Sequence, residues 1–466
     1  MNYVTLVNKK NQVKDKYFKY LELVDYKTNL NEVVKIEKNT LEAYLKLKQF
    51  LESKNIYIEI NSAYRDLEEQ QKIIDEYTLK YGKEYVDNFV APVGASEHHT
   101  GLAVDLCLKV NDKFIIENDD LFSCDNIFLV LHKYLHEFGF ILRYPRKKED
   151  VTGYNYEPWH IRYVGEVVAS IIYNNNLTLE EYLSNFSGVL VVNKEKDMTS
   201  RDVVNEVSRV LGIKKIGHTG TLDPMAQGVL VLTIGKATKI GELLTSSEKE
   251  YIAEVEIGLD TDSLDITGKI LNKKEPKENI DYEKLCRSFQ KKYLQEVPIY
   301  SAVKVNGKKL YQYAREEKEV VLPKKEVDIK KIDFISSCNN TFKFKTLVSK
   351  GTYIRSLIRD MGNSIDEYFC MKSLVRTRQG DFSINCAYTL DDIKNNKFKI
   401  ISIKDALSKY KTINLEDKEI IKKISNGVKI DNEYGISSIC LFTTNNNLIA
   451  IYKNIDNKLI PWHVFN

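Results

Sequence analysis

A change of pattern at residues 185–188 constrains this chain most, because a helical run ends there in NFSG and an apolar strand pattern follows. With 466 residues, the chain exceeds what one hydrophobic core usually holds, so it must divide into domains. Small and polar residues at such a break are typical of a linker. A second change near residue 408 opens a segment of short strands. The sequence therefore predicts three units with bounds 1–185, 186–407 and 408–466.

The two parts on either side of the linker differ in charge. Residues 1–185 carry 23 Lys and Arg against 29 Asp and Glu, whereas residues 186–466 carry 46 against 37. Neutralisation of phosphates by Lys and Arg supplies most of the sequence-independent affinity for nucleic acid. An ordinary asymmetry between two domains would give the same counts. The charge therefore indicates that a polyanion would bind the second part. The motifs must decide whether it does.

Composition and cysteine usage narrow the class of protein. Hydrophobic residues make up 43% and charged residues 29% of the chain, as in ordinary globular proteins. No stretch reaches the roughly 18 apolar residues of a membrane span, and the N-terminal segment lacks the apolar region of a secretory signal. The seven cysteines are scattered without a CxxC pair, which favours reduced thiols. We therefore expect a cytoplasmic protein with no membrane partner.

Hydrophobic spacing predicts both helices and strands in the first two units. Helical spacing covers residues 40–56, 67–81 and 166–183, and alternation predicts strands over GLAVDLCL and WHIRYVG. After the linker come the strand GVLVVNK, the helix SRDVVNEVSRVLG and the long alternating strand EYIAEVEIG. The expected fold class is α+β and multidomain. It comprises an α+β N-terminal domain, a mixed-sheet α/β central domain and a small C-terminal β module.

The first unit holds the stretch SEHHTGLAVD at residues 96–105 and EPWH at residues 157–160. Zinc hydrolysis needs about three nitrogen or oxygen ligands, an open position and a nearby base. His98, Asp105 and His160 can supply the ligands, and Glu157 can act as the base. Histidines near carboxylates are common by chance, so composition alone indicates little. The fixed spacings are more specific.

These residues resemble the VanY/VanX-type zinc D-alanyl-D-alanine carboxypeptidases and dipeptidases, whose pattern is SxHxxGxAxD followed by ExxH. The resemblance covers roughly residues 1–180 and implies Zn²⁺ on the three ligands, with Glu157 as general base. It also implies that Arg65 polarises the scissile carbonyl, that Ser96 holds the substrate and that His99 points away. The implied substrate is a small D-Ala-containing peptide. Whether it is a dipeptide or a cell-wall precursor stays open.

The second unit holds GHTGTLDPMAQGVL at residues 217–230. An Asp-Pro pair such as Asp223-Pro224 is most often a turn or a helix cap. This stretch, however, resembles the TruB-type tRNA pseudouridine synthases, and further motifs follow in family order. Isomerising uridine to its C-glycoside needs a carboxylate near the sugar and groups that hold the detached base. The target must also leave its stack.

The resemblance implies a role for each matching position. Asp223 would be the nucleophile and needs no cofactor, and Arg355 would pair with it and favour its ionised form. Tyr251 and Tyr353 would be catalytic. Three residues would bind substrate: His218, which would stack into the T loop, Leu374, which would pack on the base, and Lys194. The segment VPIYSAVKVNGKKLYQYAR, with Tyr300, Lys304 and Lys308, interleaves basic and aromatic residues and supports contact with RNA.

The sequence departs from the TruB pattern at the opening motif. The usual KPxGxTS reads KEKDMTS at residues 194–200, so Asp197 must adopt a conformation that glycine takes freely. The usual double proline before Tyr300 is reduced to Pro298-Ile299. Residues 408–466 resemble the PUA-like module of bacterial TruB proteins, which implies a grip on the tRNA acceptor stem.

Three functional hypotheses follow from these motifs. The first is a bifunctional enzyme that isomerises uridine 55 in the T loop of tRNA and hydrolyses D-Ala-ended peptides. The second keeps the synthase, with a non-catalytic zinc-binding or structural N-terminal module. The third is a tRNA-folding chaperone whose modification activity is incidental. The sequence carries no sign of oligomeric state.

Overall fold

The computed structural model describes residues 2–465, and these form two compact units. The first runs to Phe186 and includes Val207–Lys214 and Ile393–Lys397. The second comprises Ser187–Glu206, Lys215–Asp392 and the chain from Phe398 onward. Within the described residues, no helix is both long and apolar enough to cross a bilayer. The three bounds expected from the sequence remain a prediction.

The first unit combines nine α-helices with two small sheets. The helices are Asp15–Phe18, Lys38–Glu52, Leu67–Tyr81, Lys83–Phe89, Asn118–Ser123, Asp125–Leu131, Glu149–Thr152, Glu166–Asn174 and Leu179–Asn185. The strands are Leu23–Lys27, Val33–Glu37, Ile58–Ser62, Ala103–Val110, Lys113–Ile115, Phe140–Leu142 and His160–Tyr163. Short 3₁₀ helices lie at Glu97–Thr100 and Leu135–Phe138.

An antiparallel five-stranded sheet forms the centre of the first unit. Its order is Ile58–Ser62, Ala103–Val110, His160–Tyr163 and Phe140–Leu142, and Lys113–Ile115 also pairs with Ala103–Val110. Apolar side chains of the sheet pack with those of the neighbouring helices in one buried cluster, which supplies the main stabilisation by removing apolar surface from water. The sheet thereby gives the polar strand ends a rigid support.

The second unit contains most of the strands. They are Gly188–Lys194, Ile216–His218, Gln227–Ile234, Lys249–Ile257, Leu259–Thr261, Ile270–Lys273, Lys292–Glu296, Lys304–Val305, Lys308–Lys309, Lys324–Cys338, Thr341–Val348, Phe369–Gln379, Phe382–Ser383, Lys411–Asn414, Ile430–Asp431, Ile439–Thr444, Asn447–Ile455 and Lys458–Val464. The α-helices that begin in it are Ser200–Leu211, Gly241–Thr245, Tyr282–Ser288, Leu310–Arg315, Ile354–Asn363, Leu390–Lys394, Ile403–Ala406 and Lys418–Ser425, and 3₁₀ helices lie at Gly235–Ile240 and Ile384–Cys386.

A mixed nine-stranded sheet dominates the second unit. Its main path runs through Lys292–Glu296, Lys324–Cys338, Thr341–Val348, Lys249–Ile257, Phe369–Gln379, Gln227–Ile234 and Gly188–Lys194, and Phe382–Ser383 and Ile216–His218 pair beside it. Only the pair Gln227–Ile234 and Phe369–Gln379 is parallel among these described strands. The strict alternation of buried and half-buried residues in Lys249–Ile257 reflects one covered face. This confirms the mixed α/β character expected of the central part.

A separate five-stranded sheet lies at the C-terminal end of the second unit. Its order is Lys411–Asn414, Ile439–Thr444, Asn447–Ile455, Lys458–Val464 and Ile430–Asp431. The first pair is parallel and the other three are antiparallel. Its interior is apolar. The expectation of a compact β module in this region is therefore confirmed.

Two local expectations have clear outcomes. The helical run predicted at 166–183 divides into Glu166–Asn174 and Leu179–Asn185. The division occurs because Thr178 forms a capping box that starts a new helix. Asp197 has a φ of 67°, the left-handed conformation that the missing glycine of the opening motif would adopt freely.

We predict that Gly228→Ala destabilises the protein strongly. Gly228 has a φ of 101°, and a Cβ there would lie 2.3 Å from the Arg376 carbonyl oxygen. The backbone strain and the clash should together cost about 2–4 kcal/mol, measured by urea unfolding. Gly241→Ala is the matched control, because its φ is −55° and its surroundings are open. An equal loss in both variants would contradict this explanation.

Candidate functional site

The carboxylate of Asp223 forms a bidentate ion pair with the guanidinium of Arg355. Arg355 Nε lies 2.9 Å from Asp223 Oδ2, and Nη2 donates to Oδ1 at 3.1 Å. Asp223 comes from the loop between the strands Ile216–His218 and Gln227–Ile234, and Arg355 from the first turn of the helix Ile354–Asn363. The side chain of Arg355 is 5% exposed and that of Asp223 is 36% exposed. The pair is therefore supported from behind and open to a substrate in front.

The remaining donors of Arg355 are bound to a neighbouring hairpin and loop. Nη1 donates to the carbonyl of Ser263 at 2.9 Å and Nη2 to that of Tyr300 at 2.9 Å. The buried carboxylate of Asp265 lies 3.9 Å from Nη1. Sequence reasoning missed Ser263 and Asp265, because the stretch TDSLDITG reads as an ordinary polar turn. Together these contacts fix the guanidinium in one orientation.

A cavity of about 510 Å³ opens beside the ion pair. It is lined by Asp197, Asp223, Pro224, Met225, Asp262, Ser263, Asp265, Thr267, Gly268, Lys269, Tyr300 and Arg355. A nucleotide-sized ligand fits a cavity of this order. Asp223 therefore presents its carboxylate to a space that could hold an extruded base and its ribose.

The other positions expected in the synthase site lie close to this region of the fold but do not all reach the cavity. Tyr251 and Leu374 are buried on adjacent strands, each 6% exposed, and Tyr353 directly precedes the helix of Arg355. None of these three is among the described residues that line the cavity. His218 is half-buried, burial lowers its pKa, and its Nδ1 has no partner among the described residues.

Lys194, a predicted substrate-binding residue, is bound to three backbone carbonyls in the structure. Its side chain is fully buried, and Nζ donates to the carbonyls of Glu195, Met198 and Pro224 at 2.8, 2.5 and 3.0 Å. All three N–H groups of the ammonium are thus used within the protein. Burial lowers the pKa of Lys194 to about 8. The residue therefore holds the loop that follows Asp223, and its predicted role in substrate binding stays a prediction.

A second buried cation holds the other side of the same loop. Arg376 is fully buried and donates to the carbonyls of Gly220, Thr221 and Val229 at 2.8, 3.4 and 2.6 Å. Within the described part of the chain, the hydrogen-bond partners of both Arg376 and Lys194 are backbone carbonyls. The backbone on both sides of Asp223 is thus fixed by guanidinium and ammonium groups, a contribution that the motif alone does not reveal.

In the first unit, strand register brings three predicted ligands together. Asp105 pairs directly with His160 across the strands Ala103–Val110 and His160–Tyr163. His160 Nδ1 lies 2.9 Å from Asp105 Oδ1, and His98 Nε2 lies 3.1 Å from Asp105 Oδ2. The potential ligand atoms all lie within 4.8 Å of one another. The three side chains are therefore close enough together to hold one metal ion.

The surroundings of these three residues also fit a cation. Asp105 Oδ1 is buried without a hydrogen-bond partner among the described residues, although a histidine nitrogen lies beside it. His98 Nδ1 lies 2.5 Å from the carbonyl of Ala63, which leaves Nε2 free to act as the ligand atom. Burial lowers the pKa of His98 to about 4, favouring the neutral imidazole that binds metals. The residue set therefore fits Zn²⁺.

The other predicted peptidase residues surround the same point. Glu157 Oε2 lies 3.7 Å from His160 Nδ1, and burial raises the pKa of Glu157 to about 7. Arg65 Nη2 lies 3.2 Å from Asp105. Arg65, Ser96 and Glu157 all line a cavity of about 240 Å³ together with the three potential ligands. All six sequence-predicted positions thus meet in one place.

His99 points away from this cavity, as expected. Its Nδ1 lies 2.8 Å from the carbonyl of Arg65, and its Nε2 accepts from the N–H of Gly94 at 3.1 Å. Sequence reasoning missed Glu97, whose carboxylate is fully buried between Arg143 and Arg162. These two guanidinium groups hold the pKa of Glu97 well below its usual range despite burial. A glutamate between Ser96 and His98 gives no sign of partners so distant in sequence.

The comparisons with known proteins divide the chain in the same way. Residues 208–354 match the model of the TruB family pseudouridylate synthases (N-terminal domain). A tRNA pseudouridine synthase B from Lactobacillus acidophilus is 41% identical over 281 residues, covering 57% of this chain and 94% of the relative. The chain belongs to the tRNA pseudouridine synthase B family. The Bacillus subtilis member is 37% identical over 286 residues, covering 57% of this chain and 92% of its own length.

The TruB part is fused to a VanY-like domain. Residues 33–166 match the model of the D-alanyl-D-alanine carboxypeptidases. A crystal structure of a vancomycin resistance D,D-pentapeptidase VanY variant in complex with Zn(II) is 31% identical. The match covers 39% of this chain and 99% of that chain, with a TM-score of 0.35.

We predict that Lys194→Met lowers the stability of this TruB protein more than its affinity for tRNA. The change removes the Lys194 donor from the carbonyls of Glu195 and Met198 and leaves that of Pro224 with the N–H of Asp197 alone. The loss should cost roughly 2–4 kcal/mol in urea unfolding. Affinity for tRNA, measured by filter binding below the unfolding transition, should change by less than about threefold. Lys196→Met is the control, because Lys196 is exposed. A loss of tRNA affinity without a loss of stability would restore the substrate-binding role.

Proposed function

We propose that the TruB part converts uridine 55 in the T loop of tRNA to pseudouridine, with Asp223 as the nucleophile. The bidentate Asp223–Arg355 pair beside a nucleotide-sized cavity carries this proposal. The N1–C1′ bond of the uridine breaks, the base turns, C5 joins C1′, the proton of C5 leaves to solvent, and N1 takes up a proton. The product has the same composition as uridine, and no electrons are gained or lost.

The remaining residues of the second unit take supporting roles in this proposal. Tyr251 would contact the uracil and serve the proton transfer at C5, and Tyr353 and Leu374 would pack around the base. His218 would stack into the T loop and fill the space of the flipped nucleotide. The region 408–466 would grip the acceptor stem as a PUA-like module, and the basic, aromatic segment at 297–315 would contact the T arm.

Asp223→Asn should abolish pseudouridine formation while leaving tRNA binding intact. An amide keeps the size and polarity of the side chain but removes the nucleophilic carboxylate, so single-turnover rates should fall by roughly 10⁴-fold or more. The rate is measured by release of tritium from C5-labelled tRNA, and affinity by filter binding. Asp381→Asn is the matched control, because Asp381 is exposed. Substantial turnover by the Asn variant would contradict the assignment of the nucleophile.

We further propose that the VanY-like domain is a zinc D-alanyl-D-alanine carboxypeptidase or dipeptidase, which makes the protein bifunctional. His98, Asp105 and His160 would hold Zn²⁺. When bound, the ion would supply Lewis-acid polarisation of the scissile carbonyl and of water. Glu157, with a pKa near neutrality, would accept and return protons as general base and acid.

The substrate side of this cavity supports a short, polar ligand. Arg65 would stabilise the developing negative charge on the scissile carbonyl, and Ser96 would help hold the peptide. The volume of about 240 Å³ suits the end of a D-Ala-containing peptide. We propose a cytoplasmic location for the whole chain, because tRNA is the substrate of its larger part.

A non-catalytic N-terminal module is the alternative to this bifunctional enzyme. Such a module would keep His98, Asp105 and His160 but would not catalyse a reaction. It would bind zinc structurally or bind no metal. The raised pKa of Glu157 and the placement of Arg65 beside the trio favour catalysis, since a structural site needs neither. The chaperone hypothesis concerns the second unit. The Asp223→Asn variant distinguishes it from the bifunctional-enzyme hypothesis.

Purified protein should contain one zinc ion per chain by elemental analysis and release D-Ala from D-Ala-D-Ala or a D-Ala-ended peptide. Glu157→Ala should lower the release rate by about 10²–10⁴-fold with unchanged zinc content. His98→Ala should lose the zinc itself, whereas His136→Ala, whose ring stacks on Tyr173, should retain it. Zinc without D-Ala release from any such substrate would support the non-catalytic module.

A further inference from the structure

Gln295 is a buried amide on an otherwise mostly accessible edge strand. In Lys292–Glu296 it is the one residue classed as buried, with 1% exposure. A buried amide is unfavourable unless its donors and acceptor are bonded. Neither catalysis nor sheet formation, as described above, accounts for a glutamine at this position. The partners of the amide group therefore indicate its role.

The side-chain amide of Gln295 binds both the N–H and the carbonyl of Tyr353. Oε1 accepts from the N–H of Tyr353 at 2.8 Å, and Nε2 donates to the carbonyl of Tyr353 at 3.2 Å. Nε2 also donates to the hydroxyl of Tyr293 at 2.8 Å. The oxygen must face the N–H, so the network fixes the orientation of the amide. Two bonds to one residue hold the φ and ψ of Tyr353 in place.

Tyr353 is the N-cap of the helix Ile354–Asn363, and its own side chain makes no cap hydrogen bond. Its carbonyl also accepts from the N–H of Leu357 at 3.0 Å. Arg355 is the second residue of this helix. The direction in which the helix starts therefore decides where the guanidinium meets Asp223.

The same strand also contacts the helix beyond its first turn. The hydroxyl of Ser356 donates to the carbonyl of Glu296 at 2.8 Å, and the hydroxyl of Tyr293 donates to Asp360 at 3.1 Å. These contacts hold the helix against the strand. Gln295, in contrast, holds the residue from which the helix begins.

Building on the function proposed above for the TruB part, we propose that Gln295 is a positioning residue for pseudouridine formation. It fixes the backbone of Tyr353 so that Arg355 approaches Asp223 with both nitrogens. Gln295 does not line the cavity at Asp223, so it acts on the reaction through the start of the helix that carries Arg355. A displacement of about 1 Å at a reacting group can cost roughly 100-fold in rate, so an indirect contact of this kind can matter for catalysis.

The test is a double-mutant cycle in the full-length protein, with Gln295→Met and Arg355→Lys. Met keeps the length and shape of the side chain but forms neither bond to Tyr353. We expect Gln295→Met to lower the single-turnover rate by about 10- to 100-fold, with the dissociation constant for tRNA within about threefold of wild type. In the Arg355→Lys background the same change should cost less than about twofold, because the bidentate pair is already lost.

Gln290→Leu is the matched control, since Gln290 is exposed and lies on the same segment, and it should leave the rate unchanged. An equal loss of rate in both backgrounds would show a general structural role and overturn the proposal. An unchanged rate in Gln295→Met, or a loss of tRNA affinity as large as the loss of rate, would also overturn it.

Should Gln295→Met not fold, Gln295→Glu takes its place in the same cycle. The carboxylate can still accept from the N–H of Tyr353 but cannot donate to its carbonyl. A rate between those of wild type and Arg355→Lys, with normal tRNA affinity and no further loss in the Arg355→Lys background, would support the proposal. A wild-type rate, or equal losses in both backgrounds, would refute it.

Discussion

The ion pair between Asp223 and Arg355 is the interaction on which the synthase site depends. A carboxylate and a guanidinium that are partly removed from water are stabilising only when their geometry is good and their other hydrogen-bonding groups are satisfied. Here Arg355 also donates to two backbone carbonyls. The loop of Asp223 is itself fixed by Lys194 and Arg376, which donate to its flanking carbonyls. The polar groups around Asp223 thus hold its carboxylate in one position.

The site of the VanY-like domain is built in a different way. Two of its three proposed ligands lie on neighbouring strands, and the register that pairs Asp105 with His160 sets their separation directly. His98 follows on a short 3₁₀ turn and is oriented by the carbonyl of Ala63. Sites on strands are held more precisely than sites on loops. The loop that carries Asp223 is held instead by the buried cations Lys194 and Arg376.

The sequence predicted what depends on local pattern and motif order. The helix at 67–81 and the strand over EYIAEVEIG have their expected bounds, give or take a residue, because their periodicity and capping are local. The ligand trio and the Asp223–Arg355 pair were predicted because family motifs carry them. The burial of Lys194 and the contact of Gln295 with Tyr353 were not predicted. Each depends on groups brought together from separate segments, and no local pattern encodes such contacts.

The proposed reacting groups of each site belong to one compact unit. The ligand trio, Glu157 and Arg65 all precede Phe186, whereas Asp223, Arg355 and the groups that hold them belong to the second unit. The negative balance of the first part and the positive balance of the second match this division, since only the second part belongs to a family that acts on a polyanion. Fusion therefore fixes the ratio of the two domains at one to one, while the chemistry of each follows from its own residues.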